Sequence, residues 1–288
     1  MPAMLDDIPP LDHLIGLKTT ATDTVTAAQV QRLAATLNRD DRWPRQGDPV
    51  PPGWHIAFFP NTARTDALGS DGLLRDLGDD PAFAAFNRMY AGQRMRFLKP
   101  LRVGEDVTLE SEIVSATPKR GRSGDLIFAT QRSRISGPDG VATEDERDMV
   151  FVRPHPDANR AGVDSPPAPE NTQWRKTVAT NPVLLFRFSA ITFNPHRIHY
   201  DYTYVTGEEG FPDLVVHGPL TMILLLELAR EHSGGRALTE FHMRAMAPLF
   251  VGPPVTLLGN PTDGGKACEL WAVTPQGRIA MAAGASFA

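Results

Sequence analysis

One short pattern occurs twice in the chain at a fixed distance, and this repeat limits the possible folds more than any other feature. Residues 95–109 read MRFLKPLRVGEDVTL and residues 243–257 read MRAMAPLFVGPPVTL, an offset of 243 − 95 = 148 positions without a gap. Each copy places a turn-forming glycine before an alternation of apolar and polar residues, which is typical of a strand–turn–strand unit. The repeat therefore predicts two structural units of similar fold.

Further strand-like segments follow both copies in the same order. In the first half they are LIFATQRSRI and VATEDERDMVFV, in the second CELWAVT and RIAMAAGASFA, with hairpin turns between them at 137–140 and 275–277. Residues 154–173 are rich in proline, asparagine and aspartate, which is typical of a linker. We therefore predict an α+β chain of two tandem modules, residues 1–153 and 174–288, joined by this linker.

Three segments predict helices. The apolar run Leu220–Leu228 predicts a buried helix at the centre of the second module, because the Gly-Pro pair before it suits a helix start. In the first module the segment PPGWHIAFFP at 51–60 holds the equivalent place, and we expect the central helix of that module there. Residues 19–40 predict an amphipathic helix with Thr26 as its N-cap.

Composition excludes several classes of protein. The 288 residues carry a formal net charge of −5 with interspersed signs, so we expect neither nucleic acid nor an anionic membrane as partner. No apolar run approaches the roughly 18 residues of a membrane span, and the acidic N-terminus lacks the pattern of a secretory signal. The single cysteine, Cys268, excludes an internal disulfide and suits a reducing compartment, so we expect a cytoplasmic protein.

Proton-transfer groups are concentrated just before the predicted central helix of the second module. His196 and His199 lie three residues apart, close after Asn194, while His217 and Gly218 precede the apolar run. A neutral imidazole can take a proton from water near neutral pH. The free N–H groups at a helix N-terminus can stabilise negative charge on a carbonyl oxygen. This pattern indicates acid–base chemistry next to a carbonyl group.

The residues SAITFNPHRIHYD, followed by VVHGPL, resemble the hydratase motif of the MaoC-like, type 2 hydroxyacyl-thioester dehydratases. In particular the chain resembles the two-domain branch that includes hydratases of mesaconyl-C4-CoA (3-methylfumaryl-CoA) and itaconyl-CoA. The resemblance implies a double hot-dog fold, in which each module is a curved antiparallel sheet wrapped round a central helix. It also implies addition of water to an enoyl-CoA thioester, with conversion of mesaconyl-C4-CoA or itaconyl-CoA to citramalyl-CoA as the best match.

The same resemblance implies roles for the motif residues. Aligning the end of the motif on His199, Tyr200 and Asp201 makes His199 the catalytic base. Asn194 then stands where the family has an aspartate, and His196 stands where it has an asparagine. Because an amide cannot accept a proton, three arrangements remain open: His199 works alone, together with His196, or with Asp201 orienting it.

A second alignment puts Thr192 in the place of the aspartate, but it disrupts the spacing of the histidines. The N–H of Gly218 is implied to hold the thioester oxygen, and glycine suits this place because it has no Cβ. We also expect the side chains of His217, Asp201 and Tyr200 to contact the substrate.

A dicarboxylate thioester needs a cation for its free carboxylate, and the candidates are Arg197, Arg88 and Arg94. The sequence has no zinc-ligand pattern, phosphate loop or nucleophile elbow, so we expect no metal, and no cofactor beyond the CoA of the substrate. Two alternatives remain: a dehydratase of 3-hydroxyacyl-CoA or acyl-carrier-protein substrates, and a thioester-binding module without catalysis. We expect a monomer or a homodimer of double hot dogs.

Overall fold

A computed structural model describes residues 8, 10–74, 83, 86–121, 124–152 and 165–288. Within these residues, ten strands form one antiparallel sheet and four α-helices accompany it. Most of the predicted linker, up to residue 164, lies outside the described residues. None of the described helices combines the length and the apolar composition needed to cross a membrane.

The strands before residue 153 are β1 Lys18–Thr24, β2 Asn87–Phe97, β3 Asp106–Gly121, β4 Gly124–Gly137 and β5 Gly140–Val152. The strands after residue 165 are β6 Trp174–Val178, β7 Leu238–Ala245, β8 Val255–Thr262, β9 Ala267–Val273 and β10 Ile279–Phe287. The helices are α1 Ala27–Thr36, α2 Pro182–Thr192, α3 Tyr202–Gly207 and α4 Gly218–Glu231.

The two halves of the chain share one sheet, whose strand order is β1-β3-β4-β5-β2-β7-β10-β9-β8-β6. The strands of each half stay together, and β2 pairs with β7 in the middle. At the centre of this pairing Arg94 lies opposite His242, and 242 − 94 = 148, so the two residues are equivalent in the repeat. A pseudo-two-fold axis therefore passes between them. The arrangement confirms the predicted α+β class.

Both copies of the repeat adopt the predicted strand–turn–strand course. The first copy runs from β2 into β3 and the second from β7 into β8. Gly104 and Gly252, which are equivalent in the repeat, have φ angles of 91° and 105° in the turns. This left-handed conformation is one that glycine adopts readily. The four later strands predicted from the sequence also form, as β4, β5, β9 and β10.

Helix α4 is the central helix that the apolar run predicts. It packs against β7, β8, β9 and β10, and every residue from Leu220 to Ala229 is buried, as expected for a helix that is apolar all round. The buried carboxylate of Glu227 accepts a hydrogen bond from Trp54 Nε1 at 3.0 Å and pairs with Arg39 and Arg230. The first half of the chain thus contributes Trp54 and Arg39 to the surroundings of α4.

The prediction of a central helix at 51–60 is wrong. In the structure this segment contains only a 3₁₀ turn, Trp54–Ala57. Prolines at positions 51, 52 and 60 remove backbone donors, and Gly53 adopts a φ of 84°, so a regular helix cannot extend through the segment. A Cβ at Gly53 would lie 2.5 Å from Cδ1 of Leu226, so this glycine lets the turn pack directly on α4.

The amphipathic helix predicted within 19–40 forms over only part of that range. Residues 18–24 belong to β1 because their threonine-rich sequence favours a strand, and α1 begins at Ala27. Thr26 caps α1 as predicted, since its Oγ1 accepts the Gln29 N–H at 3.3 Å.

The interior of the first half is divided by a band of polar side chains. One apolar cluster is shared with α4 and includes Val107 and Ile135, and a second includes Ile113, Ile127 and Met149. Polar residues of β2–β5 lie between the two clusters and on the same face of the sheet. They share this face with the apolar residues because side chains two residues apart in a strand point the same way. We call these six residues the polar band: Gln93, Ser111, Gln131, Ser133, Asp145 and Arg147.

We expect Gly53→Ala to lower the free energy of unfolding by about 1–3 kcal/mol, because the new Cβ collides with Leu226 in a left-handed backbone. Gly16→Ala is the matched control: its φ is 88°, but nothing lies within 4 Å of the Cβ position. Urea denaturation followed by circular dichroism measures both variants. Equal stability of the two would show that close packing on α4 contributes nothing at this glycine.

Candidate active site

The loop that carries the motif, residues 193–201, connects α2 with α3. Phe193 ends α2 in the left-handed conformation with a φ of 49°, which is uncommon for a bulky residue and is found where surrounding contacts enforce it. The Asn194 N–H donates to the Ser189 carbonyl at 2.8 Å, and the Asn194 Oδ1 accepts the His196 N–H at 3.0 Å. These hydrogen bonds fix the course of the loop towards the two histidines.

A turn from the first half of the chain holds this loop in place. Gly72 has a φ of 87°, and a Cβ on it would lie 2.1 Å from the Pro195 carbonyl oxygen, so only glycine permits this contact. The Arg197 N–H donates to the Asp71 carbonyl at 2.8 Å, and its Nη1 donates to the Ser70 carbonyl at 2.9 Å. The position of the motif loop therefore depends on residues from both halves.

His199 is buried, and its ring is held in one orientation. Its Nδ1 lies 2.7 Å from the Val215 carbonyl oxygen. A carbonyl can only accept, so Nδ1 carries the proton of the neutral ring and Nε2 keeps its lone pair. The His217 ring stacks on it with a centroid distance of 3.6 Å and an angle of 20°, and the His196 ring meets it edge-on at 5.4 Å.

Burial lowers the pKa values of all three rings. Burial, followed by the neighbouring His196, lowers the pKa of His199 to about 3, although the hydrogen bond to Val215 opposes this shift. Burial, followed by the positive charge of Arg88, lowers the pKa of His196 to about 4. Burial and then the other two imidazoles lower the pKa of His217 well below its ordinary value. All three rings are therefore neutral at pH 7.

His217 and Gly218 form the start of α4. His217 is the N-cap residue and is fully buried; its Nε2 lies 2.8 Å from Ser189 Oγ, while its Nδ1 has no hydrogen-bond partner among the described residues. The first N–H groups of a helix have no acceptor within the helix, and they carry its partial positive charge. A Cβ at Gly218 would lie 2.6 Å from Cδ1 of Tyr90, so glycine lets this side chain of β2 pack against the helix start.

These groups can accept a proton and stabilise negative charge at adjoining positions. Nε2 of His199 can take a proton from water, and the N–H groups at the start of α4 can donate to an oxygen that becomes negative. The stacking of His199 on His217 brings the two functions together, because Gly218 is the next residue in the chain. The arrangement suits addition of water to, or its removal from, a carbon chain next to a carbonyl.

The orientation of His199 comes from the backbone rather than from Asp201. The carboxylate of Asp201 caps α3 and pairs with Arg197 at 2.7 Å, while the Val215 carbonyl binds the imidazole. Of the arrangements left open by the sequence, the contacts therefore favour His199 beside His196 over His199 oriented by Asp201. Tyr200 is half-exposed and lies on the surface of the loop.

The three arginines predicted to bind a carboxylate lie in different surroundings. Arg197 uses its guanidinium on Asp201 and on the turn from the first half, which favours a structural role. Arg94 pairs with two carboxylates of β5, on the face of the sheet opposite to that of the polar band. Arg88 is near enough for its charge to lower the pKa of His196, so it remains a candidate.

Sequence analysis missed several groups that shape the site. Val215 acts through its backbone carbonyl, which no side-chain pattern indicates. Tyr90 reaches Gly218 only through the pairing of β2 with β7. The polar band does have a sequence signal, because Gln131 and Ser133 interrupt an otherwise apolar alternation along one face of β4.

Within the described ranges, no group of three or more histidine, cysteine, aspartate or glutamate side chains lies close enough to hold a metal ion. The expectation that the protein uses neither a metal nor a cofactor beyond CoA stays a prediction.

The sequence matches a known protein family and individual relatives. The family model described as hydroxyacyl-thioester dehydratase type 2 matches residues 53–251. The chain is 41% identical over 270 residues to the mesaconyl-C(4)-CoA hydratase of Chloroflexus aurantiacus, covering 93% of this chain and 95% of the relative. It is 24% identical over 231 residues to the mitochondrial hydroxyacyl-thioester dehydratase type 2 of Schizosaccharomyces pombe, covering 72% of this chain and 76% of the relative.

Solved structures share the fold. A MaoC-like dehydratase from Phytophthora capsici aligns with a TM-score of 0.69 at 15% identity, covering 99% of each chain. A conserved hypothetical protein from Mycobacterium tuberculosis, described as a double hot-dog fold, aligns with a TM-score of 0.57 at 15% identity, covering 99% of this chain and 98% of that one. At such identities the likeness concerns the fold alone, and it confirms the double hot-dog architecture.

The buried neutral imidazoles make stability depend on pH. In the unfolded chain a histidine binds a proton below about pH 6.5, whereas the folded protein keeps His199 and His196 neutral down to about pH 3 and about pH 4. Between these limits the unfolded state binds more protons, so stability that is fully present above pH 6.5 decreases as the pH falls. We expect each ring to reduce the free energy of unfolding by up to about 2 kcal/mol between pH 6.5 and pH 5.

Urea denaturation of the wild type and His199→Gln at about pH 7 and about pH 5 tests this dependence. The variant lacks one of the rings and should lose less stability on acidification, by about 2 kcal/mol. His13→Gln, at an exposed histidine, is the control and should follow the wild type. The same pH dependence in all three proteins would contradict a neutral, buried His199.

Proposed function

The chain belongs to the hydroxyacyl-thioester dehydratase type 2 family, and we propose that it adds water to the double bond of a methyl-branched dicarboxylyl-CoA thioester. The orientation of His199, with Nε2 unprotonated beside the start of α4, is the observation that carries this proposal. Mesaconyl-C4-CoA is the first candidate substrate, because the relative from Chloroflexus aurantiacus is named for it and aligns along nearly the whole chain. Itaconyl-CoA is the second, but its methylene double bond is not conjugated with the thioester and must move into conjugation, giving mesaconyl-C4-CoA, before the hydration described below.

In the proposed reaction, Nε2 of His199 removes a proton from water while the water oxygen bonds to the β-carbon. The electron pair of the double bond moves towards the thioester, and the Gly218 N–H holds the charge that develops on its oxygen. The imidazolium then returns the proton to the α-carbon, which yields a 3-hydroxyacyl thioester and a neutral His199. With mesaconyl-C4-CoA the product is citramalyl-CoA, and dehydration is the same path reversed.

The low pKa of His199 keeps the ring unprotonated before the reaction, but it also makes the ring a weak base. The oxyanion that forms near Gly218 offsets this weakness, since an opposite charge in a dry site stabilises the imidazolium. Proton transfer is therefore favoured only while the substrate carries developing negative charge. The same coupling keeps the free enzyme from holding a charged ring in its interior.

The alternative substrates receive less support. A fatty-acyl dehydratase needs an apolar channel, whereas the polar band occupies the interior of the first half. A module without catalysis would not need an oriented His199 beside an accessible helix start. Which thioester the protein binds, and whether it is a monomer or a homodimer, stay predictions.

We expect His199→Ala to lower kcat with mesaconyl-C4-CoA by about 1,000-fold, because general-base catalysis contributes on the order of 10² to 10⁴. Loss of the enoyl-thioester absorbance measures hydration. His232→Ala, at an exposed histidine stacked on Trp174, is the control and should keep wild-type activity. Full activity in His199→Ala would refute its role as the base.

Substrate preference tests the proposed acyl group. We expect the wild type to hydrate mesaconyl-C4-CoA or itaconyl-CoA rapidly and crotonyl-CoA slowly. A preference for crotonyl-CoA would instead assign the protein to the fatty-acyl branch of the family. No hydration of any of the three, by wild type or variant, would favour the thioester-binding module.

A further inference from the structure

The polar band is arranged in two neighbouring rows across the sheet. Strand pairing joins Ser111, Ser133 and Asp145 in one row, and Gln131, Arg147 and Gln93 in the other. The rows lie between two apolar clusters, so the band places polar groups where the rest of the interior excludes them. Gln93, Ser111 and Asp145 are buried and the other three are partly buried, and burial of polar groups costs free energy unless they bind each other or a ligand.

Arg147 supplies positive charge to this band and has no ion pair or hydrogen bond with any residue of the described ranges. Its Nε is shielded from solvent. The nearby Asp145 is already engaged: its Oδ2 accepts from Gln93 Nε2 at 2.6 Å and lies 3.6 Å from His55 Nε2. Burial raises the pKa of Asp145, but His55 and the charge of Arg147 outweigh it and keep the pKa below its ordinary value. The donors of Arg147 thus remain for a ligand.

Tyr90 links Arg147 to the reaction site. The guanidinium carbon of Arg147 lies 6.0 Å from the centre of the Tyr90 ring, and the same ring packs against Gly218. The Tyr90 hydroxyl is hydrogen-bonded to the Gln93 side chain, which fixes the ring between the two. A short acyl group whose thioester oxygen is bound at Gly218 can therefore extend along Tyr90 towards Arg147.

Among the buried polar atoms of the described residues, four have no hydrogen-bond partner, and three of them follow this path. They are Nδ1 of His217, beside the helix start, then Nε of Arg147 and Oδ1 of Asp145. Buried polar groups in folded proteins are nearly always satisfied, so this concentration indicates a place where a polar ligand is bound.

We propose that Arg147 binds the free carboxylate of the acyl group and determines the substrate specificity of this site, while the carboxylate of Asp145, which can only accept, stays in contact with Gln93 and His55. The inference rests on the proposed function and names the residue that selects its substrate. In mesaconyl-C4-CoA the carboxylate is attached to the β-carbon, the carbon that water attacks. Binding the carboxylate in the planar fork of an arginine therefore also fixes the β-carbon relative to His199.

The test compares the protein with and without the Arg147→Gln substitution. The ligands are mesaconyl-C4-CoA and crotonyl-CoA, which lacks the carboxylate. Affinities are measured by calorimetry in a His199→Ala background, so that neither thioester is consumed. We expect the Kd of mesaconyl-C4-CoA to rise about 100-fold, because a charge-assisted contact is lost, and the Kd of crotonyl-CoA to stay unchanged. With His199 intact, kcat/KM for mesaconyl-C4-CoA should fall by a similar factor.

Two variants serve as controls. Arg94→Gln removes an arginine from the opposite face of the sheet and should change neither affinity. Arg88→Gln tests the other arginine near the histidines; if it loses the preference for mesaconyl-C4-CoA and Arg147→Gln does not, Arg147 is not the carboxylate-binding residue. An equal loss of affinity for both thioesters in Arg147→Gln would also overturn the proposal, because it would show a structural role.

Circular dichroism would show whether Arg147→Gln folds. If it does not, Arg147→Lys replaces it in the affinity measurements, because lysine keeps the positive charge but lacks the planar guanidinium that binds a carboxylate through two hydrogen bonds. A loss of affinity for mesaconyl-C4-CoA alone supports the proposal, whereas an equal loss of affinity for both thioesters, or no loss for either, contradicts it. If the wild type hydrates mesaconyl-C4-CoA but Arg147→Gln binds both thioesters as before, only the carboxylate site is wrong. If the wild type prefers crotonyl-CoA, the proposed function fails as well.

Discussion

The antiparallel pairing of β2 with β7 is the interaction on which the rest of the structure depends. It joins two half-sheets at an edge that each would otherwise expose. It also brings Tyr90 of the first half against Gly218, at the start of α4 in the second. The turn around Gly72 adds a second contact between the halves, on the motif loop itself. The two halves of the duplicated chain thus contribute residues to one shared site.

The halves have diverged in the interior of their sheets. The second half packs the apolar helix α4 against its sheet, and the first N–H groups of that helix have no acceptor within it. The first half has a 3₁₀ turn, Trp54–Ala57, in the segment where a central helix was predicted, and it carries the polar band on its sheet. The second half therefore carries His199 and the helix start, while the first half carries the polar band.

The sequence was informative where the determining interactions are local. The repeat, the strands after it and α4 follow from periodicity, turn glycines and helix-start residues that lie side by side in the chain. The proximity of His199 to the start of α4 was also predictable, because the motif places these residues at a recognisable spacing. The segment 51–60 was misread because its place ahead of the strands of the first module suggested a helix that its prolines forbid.

Other parts of the site could not be predicted because they arise from distant contacts. The proton of His199 is positioned by the Val215 carbonyl, and a backbone acceptor has no signature in the sequence. Arg147 is the one basic residue in the acidic run EDERD at 144–148, where its neighbour Glu146 pairs with arginines on the outer face. Only the strand pairing shows that Arg147 faces the interior and that Tyr90 connects it to Gly218.

Nitrogen-15 NMR of the histidine side chains tests the tautomer of His199 directly, with His199→Gln used to assign its signals. Catalysis by this ring requires that Nδ1 carry the proton and that Nε2 be free. We predict a neutral ring protonated at Nδ1, unchanged from about pH 8 to about pH 5 because burial holds its pKa near 3. A proton on Nε2, or half-protonation near pH 6.5, would contradict the assignment of His199 as a desolvated, preoriented base.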